Sequence, residues 1–268
     1  MAKLVFLGAG RMASAMINGL LKHNVFSAQD IACTCGDDNT GPSLAEATGI
    51  SYLQDISSTL PDAHCLILAC KPQQLSQLDD ALGAQTSGTL VVSILAGTRI
   101  EKLDTHFPDA RNIVRAMPNT PGQIGQGATA YASRLELSDQ DDMLVREILG
   151  ALGETLLKLN EDALDAVTAL SGSGPAYVFE FTKALEEAGV GLGLERATAA
   201  QLARQTVIGA SALMAASDDD PETLRNHVTS PGGTTQAALE SFSASDLRGI
   251  AQKALEAART RSIELSQL

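Results

Sequence analysis

"FLGAGRMASAM", residues 6–16, decides how the rest of the chain is read. The apolar run "KLVFL" (3–7) stops at Gly8, and from Arg11 the pattern turns helical, with Met12, Met16, Ile17 and Leu20 along one face. Between the two, Gly8-Ala9-Gly10-Arg11-Met12-Ala13 reads G-x-G-x-x-A. Strand, tight turn and helix in that order make a cradle for a pyrophosphate. The first glycine allows the turn, the second lets the phosphate approach the backbone, and the small third residue lets helix and strand pack closely. The helix N-terminus adds free amides and the positive end of its dipole. The bare pattern is weak, but here it has the strand before it and the helix after it that a dinucleotide fingerprint requires.

Outward from this stretch, short apolar runs follow at "DIACTC" (30–35), "HCLILAC" (64–70), "TLVVSIL" (89–95) and "RNIVRAM" (111–117). Helix-like stretches, including 72–83 and 98–106, separate most of them. Continuous apolar strands alternating with helices predict a parallel sheet covered on both faces. Residues 127–159 add "GATAYA", a helix near 139–150 and the strand-like "ETLLKL". From about Asn160 the character changes: "NEDALDAVTALSG", "SGSGPAYVFEFTKALEEAGVGLGL", "ERATAAQLARQTVIGASALMAAS" and "DPETLRNHV" all read as helical, and a last helix covers 245–266. Segment 197–216 is apolar on nearly every side, with small residues at Ala199, Ala203, Gly209, Ala210 and Ala212. A helix of that kind is buried all round, and so small a domain leaves a partner subunit to cover it.

The 268 residues suit one or two domains, and 44% hydrophobic content describes a folded globular chain. No apolar run is long enough to span a bilayer, and the N-terminus lacks the basic segment, apolar core and cleavage site of a secretory signal. A net charge of −13 disfavours nucleic acid as a partner. Cys33, Cys35, Cys65 and Cys70 lie in or beside two strands. "CTC" is not the C-x-x-C of a redox pair, and no histidines complete a zinc set, so the four are expected as packing residues in a reducing cytoplasm.

The strand ends carry further polar turns. "ACKPQ" (69–73) and "LAGT" (95–98) follow strands at the edge where doubly wound folds bind ligands. Lys71 reads either as a cofactor or substrate contact or as a solvated turn residue. "AMPNTPG" (116–122) reads either as a rigid loop presenting Asn119 and Thr120 or as a stiff connector. The second strand ends in Thr34-Cys35-Gly36, with Asp37 and Asp38 just beyond, and no Lys or Arg occurs from Asn24 to Cys70. An acid at the strand tip would hold the ribose hydroxyls of NAD, and an arginine would suit NADP; neither stands there. A second glycine turn, "TSPGGTTQAAL" (229–239), opens another helix and is also built to hold an anion.

In order and spacing, "FLGAGRMA", "LACKPQ", "MPNTP", "LSGSGPAY" and "VTSPGGTT" resemble the pyrroline-5-carboxylate reductases over essentially the whole chain. The resemblance implies an α/β fold: an N-terminal Rossmann-type doubly wound domain (1–159) that binds NAD(P), then an all-helical C-terminal domain (160–268) for dimerisation and substrate binding. It implies NAD(P)H-dependent reduction of L-pyrroline-5-carboxylate to L-proline, the last step of proline biosynthesis, in the cytoplasm. The active site is then shared in a homodimer, and in related enzymes dimers often assemble into a decamer. NADPH is the implied cofactor and NADH the alternative, with no metal. By motif, cofactor contacts fall on Leu7, Gly8, Ala9, Gly10, Arg11 and Met12, on Cys35, on Ala69, Cys70, Lys71 and Pro72, and on Leu95, Ala96 and Gly97. Substrate contacts fall on Glu161, Asp218, Gly233, Thr234 and Thr235, with Thr235 the catalytic side chain.

Two positions depart from the family. Its cofactor-touching asparagine before the fourth strand is absent from "LQDISSTLPD", where Asp55, Ile56 or Ser57 stands, and His227 occupies a position that varies. Glu161 and Asp218 read either as counter-charges to the ring nitrogen or as helix-start acids, and Thr234 reads alternatively as a helix cap. Two other functions compete. A β-hydroxyacid-dehydrogenase-type enzyme, or another imine oxidoreductase, would share the layout. The dehydrogenase type places a catalytic lysine four residues after the last glycine of its turn, whereas here Val178 stands four after Gly174 and Lys183 lies out of register. A non-catalytic dinucleotide sensor would have no use for the second anion turn.

Overall fold

A computed structural model of the chain describes residues 3–36, 38–57, 59–78 and 81–267. Its strands are β1 (Leu4–Leu7), β2 (Ile31–Thr34), β3 (Ser51–Tyr52), β4 (Cys65–Leu68), β5 (Leu90–Ser93), β6 (Asn112–Met117), β7 (Ala128–Ser133) and β8 (Thr155–Lys158). The helices are α1 (Arg11–Lys22), α2 (Thr40–Thr48), α3 (Ala81–Ala84), α4 (Ile100–His106), α5 (Asp139–Gly150), α6 (Leu164–Val167), α7 (Gly174–Gly191), α8 (Arg196–Ala215), α9 (Pro221–His227), α10 (Thr234–Ala244) and α11 (Leu247–Ser266). The chain divides into two compact units, residues 1–173 with 258–268, and residues 174–257.

In the first unit the strands form one sheet in the order β3-β2-β1-β4-β5-β6-β7-β8. Strand residues point alternately to the two faces, and this explains the uninterrupted apolar runs. Leu4 and Phe6 of β1, Ile31 and Cys33 of β2, and Cys65 and Ile67 of β4 join one core with Met16, Ile17 and Leu20 of α1 and Val145, Ile148 and Leu149 of α5. Val5, Ala32, Leu66 and Leu68 join the other, with Leu75 and with Leu103 of α4. Burial pushes the Cys33 thiol up to about 11, and Cys65 and Cys70 also upward, so these free thiols behave as packing groups.

Three expectations need correction. The sheet is not wholly parallel: β7 runs antiparallel to β6. Only ten residues join Met117 to Ala128, fewer than a parallel crossover takes; β8, reached through α5, is parallel to β7. The two-residue β3 carries too short a pattern to be read, and pairs with β2. Residues 72–83 are not one helix: a 3-10 segment Pro72–Gln77 ends at Leu78, whose backbone is extended, and α3 follows. Asp79 and Asp80 of that stretch lie outside the described residues.

The second unit is helical throughout its regular elements. α7 and α8 pack through small residues, Gly189 against the Ala199 Cβ. Within the chain α8 buries only Ala199 and Ala203, so the all-round burial expected of it is not met by this chain alone. Phe179, Leu192, Leu202, Ile208, Leu213 and Met214 are exposed. Apolar area on this scale calls for a covering partner. Sedimentation at micromolar concentration is therefore expected to find a homo-oligomer as the active species, and a stable, active monomer would contradict this.

Candidate active site

β1, β2, β4 and β5 are neighbours and mutually parallel, so the loops that follow them all lie at one edge of the sheet. The chain steps from β1 outward to β3 and returns as β4 on the other side of β1. This topological switch is where open α/β sheets bind their ligands. At Gly8 (φ 115°) a Cβ would lie 2.5 Å from the Ala69 carbonyl oxygen, so the turns after β1 and β4 touch only because Gly8 has no side chain. Gly10 differs: a Cβ there would meet nothing within 4 Å. Gly10 is the N-cap of α1, whose first turn carries no side-chain cap, and the Ser14 amide is the donor that returns to the Gly10 carbonyl at 2.9 Å. The first-turn amides are left for a ligand.

A cleft of about 530 Å³ opens beside this turn, lined by Gly10, Arg11, Ser14 and Asn18, by Thr40 and Ser43 of α2, and by Gln123 among others. The donor set fits a dinucleotide phosphate: amides, hydroxyls and one guanidinium. After β2, the Cys35 thiol donates to the Asp38 carbonyl at 3.3 Å. The Asp38 carboxylate accepts from the Thr40 hydroxyl and amide, which hold its pKa below the usual range and commit it to the start of α2. Asp37 lies outside the described residues. Where the family has its asparagine, Asp55 accepts from the amide and hydroxyl of Ser57, and Ile56 is buried.

The remaining cofactor positions divide by exposure. Lys71 is exposed, and its amide donates to the Gln74 side chain at 2.8 Å. Leu95 is buried in the second core, Ala96 is exposed, and Gly97 (φ 70°) lies under α11, where a Cβ would meet the Leu265 Cβ at 3.1 Å. Asn119 is engaged at both ends of its amide: it accepts from the Ala128 amide at 2.9 Å and donates to the Ser171 hydroxyl at 3.1 Å. The "AMPNTPG" loop is thereby a braced connector.

Glu161 lies in the first unit, inside an ion network that sequence reading missed. Its Oε1 accepts from the Ile100 amide at 2.7 Å and from the Arg115 guanidinium at 3.0 Å, and Oε2 lies 3.9 Å from Arg99. Arg115 also faces Asp165 at 3.6 Å, and Asp165 accepts from the Ser262 hydroxyl at 2.7 Å. Arg115 and Asp165 are both almost fully buried. The available signal was an arginine in the middle of the apolar run "NIVRAM", since a charge is buried in a sheet only with partners.

The other substrate positions belong to the second unit. Gly232 has φ 71°, and a Cβ at Gly233 would lie 2.5 Å from the Ser230 hydroxyl. Gly233, not Thr234, is the N-cap of α10, with no side-chain cap bond. Thr234 and Thr235 are therefore the first helical residues, which removes the capping role considered for Thr234. The Gly232 amide donates to the Gln236 side chain at 2.8 Å, bracing the turn from within the helix. Asp218 is exposed in the loop after α8, and His227 is exposed with its Nδ1 3.8 Å from Asp219. Lys183, out of register for catalysis, pairs with Glu186 at 2.7 Å.

Residues 161–265 match the family model described as pyrroline-5-carboxylate reductase dimerisation, and residues 3–97 match the one described as NADP oxidoreductase coenzyme F420-dependent. A pyrroline-5-carboxylate reductase from Pseudomonas aeruginosa is 38% identical over 99% of this chain and 97% of its own length. Pyrroline-5-carboxylate reductase 2 of Bacillus subtilis is 35% identical over 100% of this chain and 96% of its own. Among solved structures, the pyrroline-5-carboxylate reductase of Coxiella burnetii superposes with a TM-score of 0.91 at 35% identity, covering 99% of this chain and 98% of that one. The Plasmodium falciparum pyrroline carboxylate reductase with NADP bound superposes with a TM-score of 0.84 at 29% identity, over 99% and 98%.

The two glycines of the first turn predict opposite phenotypes. Gly8→Ala drives a methyl into the Ala69 carbonyl at positive φ and is expected to cost about 2–4 kcal/mol of stability. Gly10→Val projects into open space. It is expected to cost at most about 1 kcal/mol of stability, as a poorer cap, while abolishing dinucleotide binding. Thermal melts with dinucleotide titrations separate the two; unchanged affinity in Gly10→Val would refute the assignment of the turn.

Proposed function

The chain belongs to the pyrroline-5-carboxylate reductase family, and on that premise we propose how its residues divide the work. It is an NAD(P)H-dependent oxidoreductase that reduces pyrroline-5-carboxylate to proline in proline biosynthesis. When bound, NAD(P)H supplies the hydride that adds to the carbon of the cyclic C=N bond, whose π electrons become the lone pair of the proline nitrogen. An iminium is already electrophilic, so the protein's main task is to hold two molecules in reacting geometry, a task worth several kcal/mol.

The turn Leu7 to Met12 would hold the pyrophosphate, with the Arg11 and Met12 amides of α1 among the donors, and Cys35, Ala69–Pro72 and Leu95–Gly97 would contact the rest of the dinucleotide. Ser43 and Arg11 offer a hydroxyl and a charge to a 2′-phosphate, while the Thr40 hydroxyl is already donated to Asp38; this supports NADPH as the preferred cofactor with NADH also accepted. In the helical region Gly233, Thr234 and Thr235 receive the substrate carboxylate at the start of α10, where unpaired amides and the helix dipole favour an anion. The Thr235 hydroxyl is the catalytic side chain, hydrogen-bonded to the ring nitrogen, and Asp218 opposes its positive charge. The resemblance also names Glu161 for the substrate, but its side chain is committed to Ile100 and Arg115.

The observation that carries this reading is the second anion turn, with a glycine as its cap and no side chain closing it. A dinucleotide sensor has no need of it. We place the functional division at residues 1–159 for cofactor and 160–268 for dimerisation and substrate, and the working unit at a cytoplasmic homodimer that assembles further into decamers.

Two measurements test these assignments. Gly233 caps α10, so Thr235→Ala removes no cap and is expected to leave stability within about 0.5 kcal/mol. Turnover or substrate affinity falls while dinucleotide affinity holds. Normal steady-state constants would remove Thr235 from the site. Initial rates with each cofactor are expected to favour NADPH with NADH still used; a preference for NADH above about tenfold would overturn the cofactor assignment.

A further inference from the structure

Four separate elements of the first unit meet at one buried charge cluster. Arg115 stands on β6, Arg99 and Ile100 at the entry to α4, Glu161 in the 3-10 turn before α6 and Asp165 in α6 itself, and Ser262 near the end of α11. Arg115 and Asp165 form its buried pair and Glu161 is partly buried, while Arg99, one-third exposed, pairs outward with the exposed Asp162 at 2.5 Å. A buried pair is retained only where geometry and hydrogen bonds match each ion. The cluster is not spread evenly: it converges on the turn between β5 and α4. Glu161 holds the first helical amide of α4, Arg99 is its N-cap, and two contacts from one turn of α11 lie alongside, Ser262 on Asp165 and Leu265 on Gly97.

We infer that Glu161, held by Arg115, is a positioning residue for the Leu95–Gly97 turn rather than a contact of the substrate. The inference rests on the assignment of that turn to the cofactor. A carboxylate whose Oε1 takes both the Ile100 amide and the Arg115 guanidinium already has its charge neutralised and its position fixed. Released from it, the start of α4 and the turn before it lose their tie to β6. The helix end that covers Gly97 keeps its own tie through Asp165 and Ser262. The turn is then held from two sides, by Glu161 beneath α4 and by α11 over Gly97.

The test uses the full-length protein, NADPH titrations followed by nicotinamide fluorescence, and steady-state kinetics with pyrroline-5-carboxylate. The chain has no tryptophan to interfere. Glu161→Ala is expected to weaken NADPH binding about tenfold with little change in the substrate KM, since a misplaced turn disturbs the molecule it touches. Glu161→Gln keeps an acceptor for the Ile100 amide and should recover most of that loss. Ser262→Ala, which removes one hydroxyl remote from the reaction, is expected to weaken NADPH binding about threefold in the same pattern; it serves where Glu161→Ala does not fold. A raised substrate KM with normal NADPH affinity in Glu161→Ala would make Glu161 a substrate contact and overturn the inference. Gly97→Ala separates the two readings. If its NADPH affinity falls while that of Glu161→Ala and Ser262→Ala stays normal, the turn is a cofactor contact and the positioning role fails. Normal affinity in all three removes the turn from the cofactor site and the inference with it.

Discussion

The backbone of Gly8 runs so close to the Ala69 carbonyl that a methyl group would overlap it. The cofactor edge of the sheet depends on that approach. It brings the turn after β1 against the end of β4, the strand on the far side of the topological switch, and fixes where α1 begins. Gly10 is then two residues on, with open space where a side chain would be, and the unpaired amides of α1 face the cleft. Two glycines in one motif thus differ in kind: a side chain at Gly8 would strike the protein, and a side chain at Gly10 would enter open space.

The buried charge cluster is the other device that shapes this edge. Arg115 interrupts the apolar run Ile113–Val114 of β6, and it is tolerated because Glu161 and Asp165 reach it from beyond the sheet. Removing one partner of such a group is costly because the other charge is left uncompensated. The cluster therefore makes the start of the helical region and the end of α11 part of the first unit's architecture, in agreement with the way the chain divides into compact units. A boundary drawn where the helices begin, at residue 160, follows composition; the compact unit follows contacts, and it extends through Ser173 and takes back 258–268.

The helical unit shows the same difference between pattern and environment. α8 is apolar on nearly all sides, yet within one chain it buries two alanines. Its sequence is written for a surface that the single chain does not contain, which accords with the dimerisation family matched over these residues. The glycine turn at 230–233 is complete in itself, since its cap, its brace from Gln236 and its free amides all come from one local segment.

Local pattern was enough for every strand but β3, for most of the helices and for the two glycine turns, because strand alternation, helical period and helix-start amides are set by neighbours in sequence. β7 could be recognised as a strand but not oriented, since direction depends on how far a ten-residue loop can reach. The single span assumed for 72–83 failed at Leu78, where the backbone is extended although the apolar spacing continues. Asp38 stands just beyond the tip of β2, and the structure gives its carboxylate to Thr40. The alternative reading of Thr234 as a cap fails, because the structure gives that place to Gly233. Glu161 read either as a counter-charge to the ring nitrogen or as a helix-start acid, and the partners its carboxylate takes are Ile100, 61 residues away, and Arg115, 46 residues away. A side chain's chemistry is written at its own position; whether its charge is free or already matched depends on partners that only folding brings within hydrogen-bonding distance.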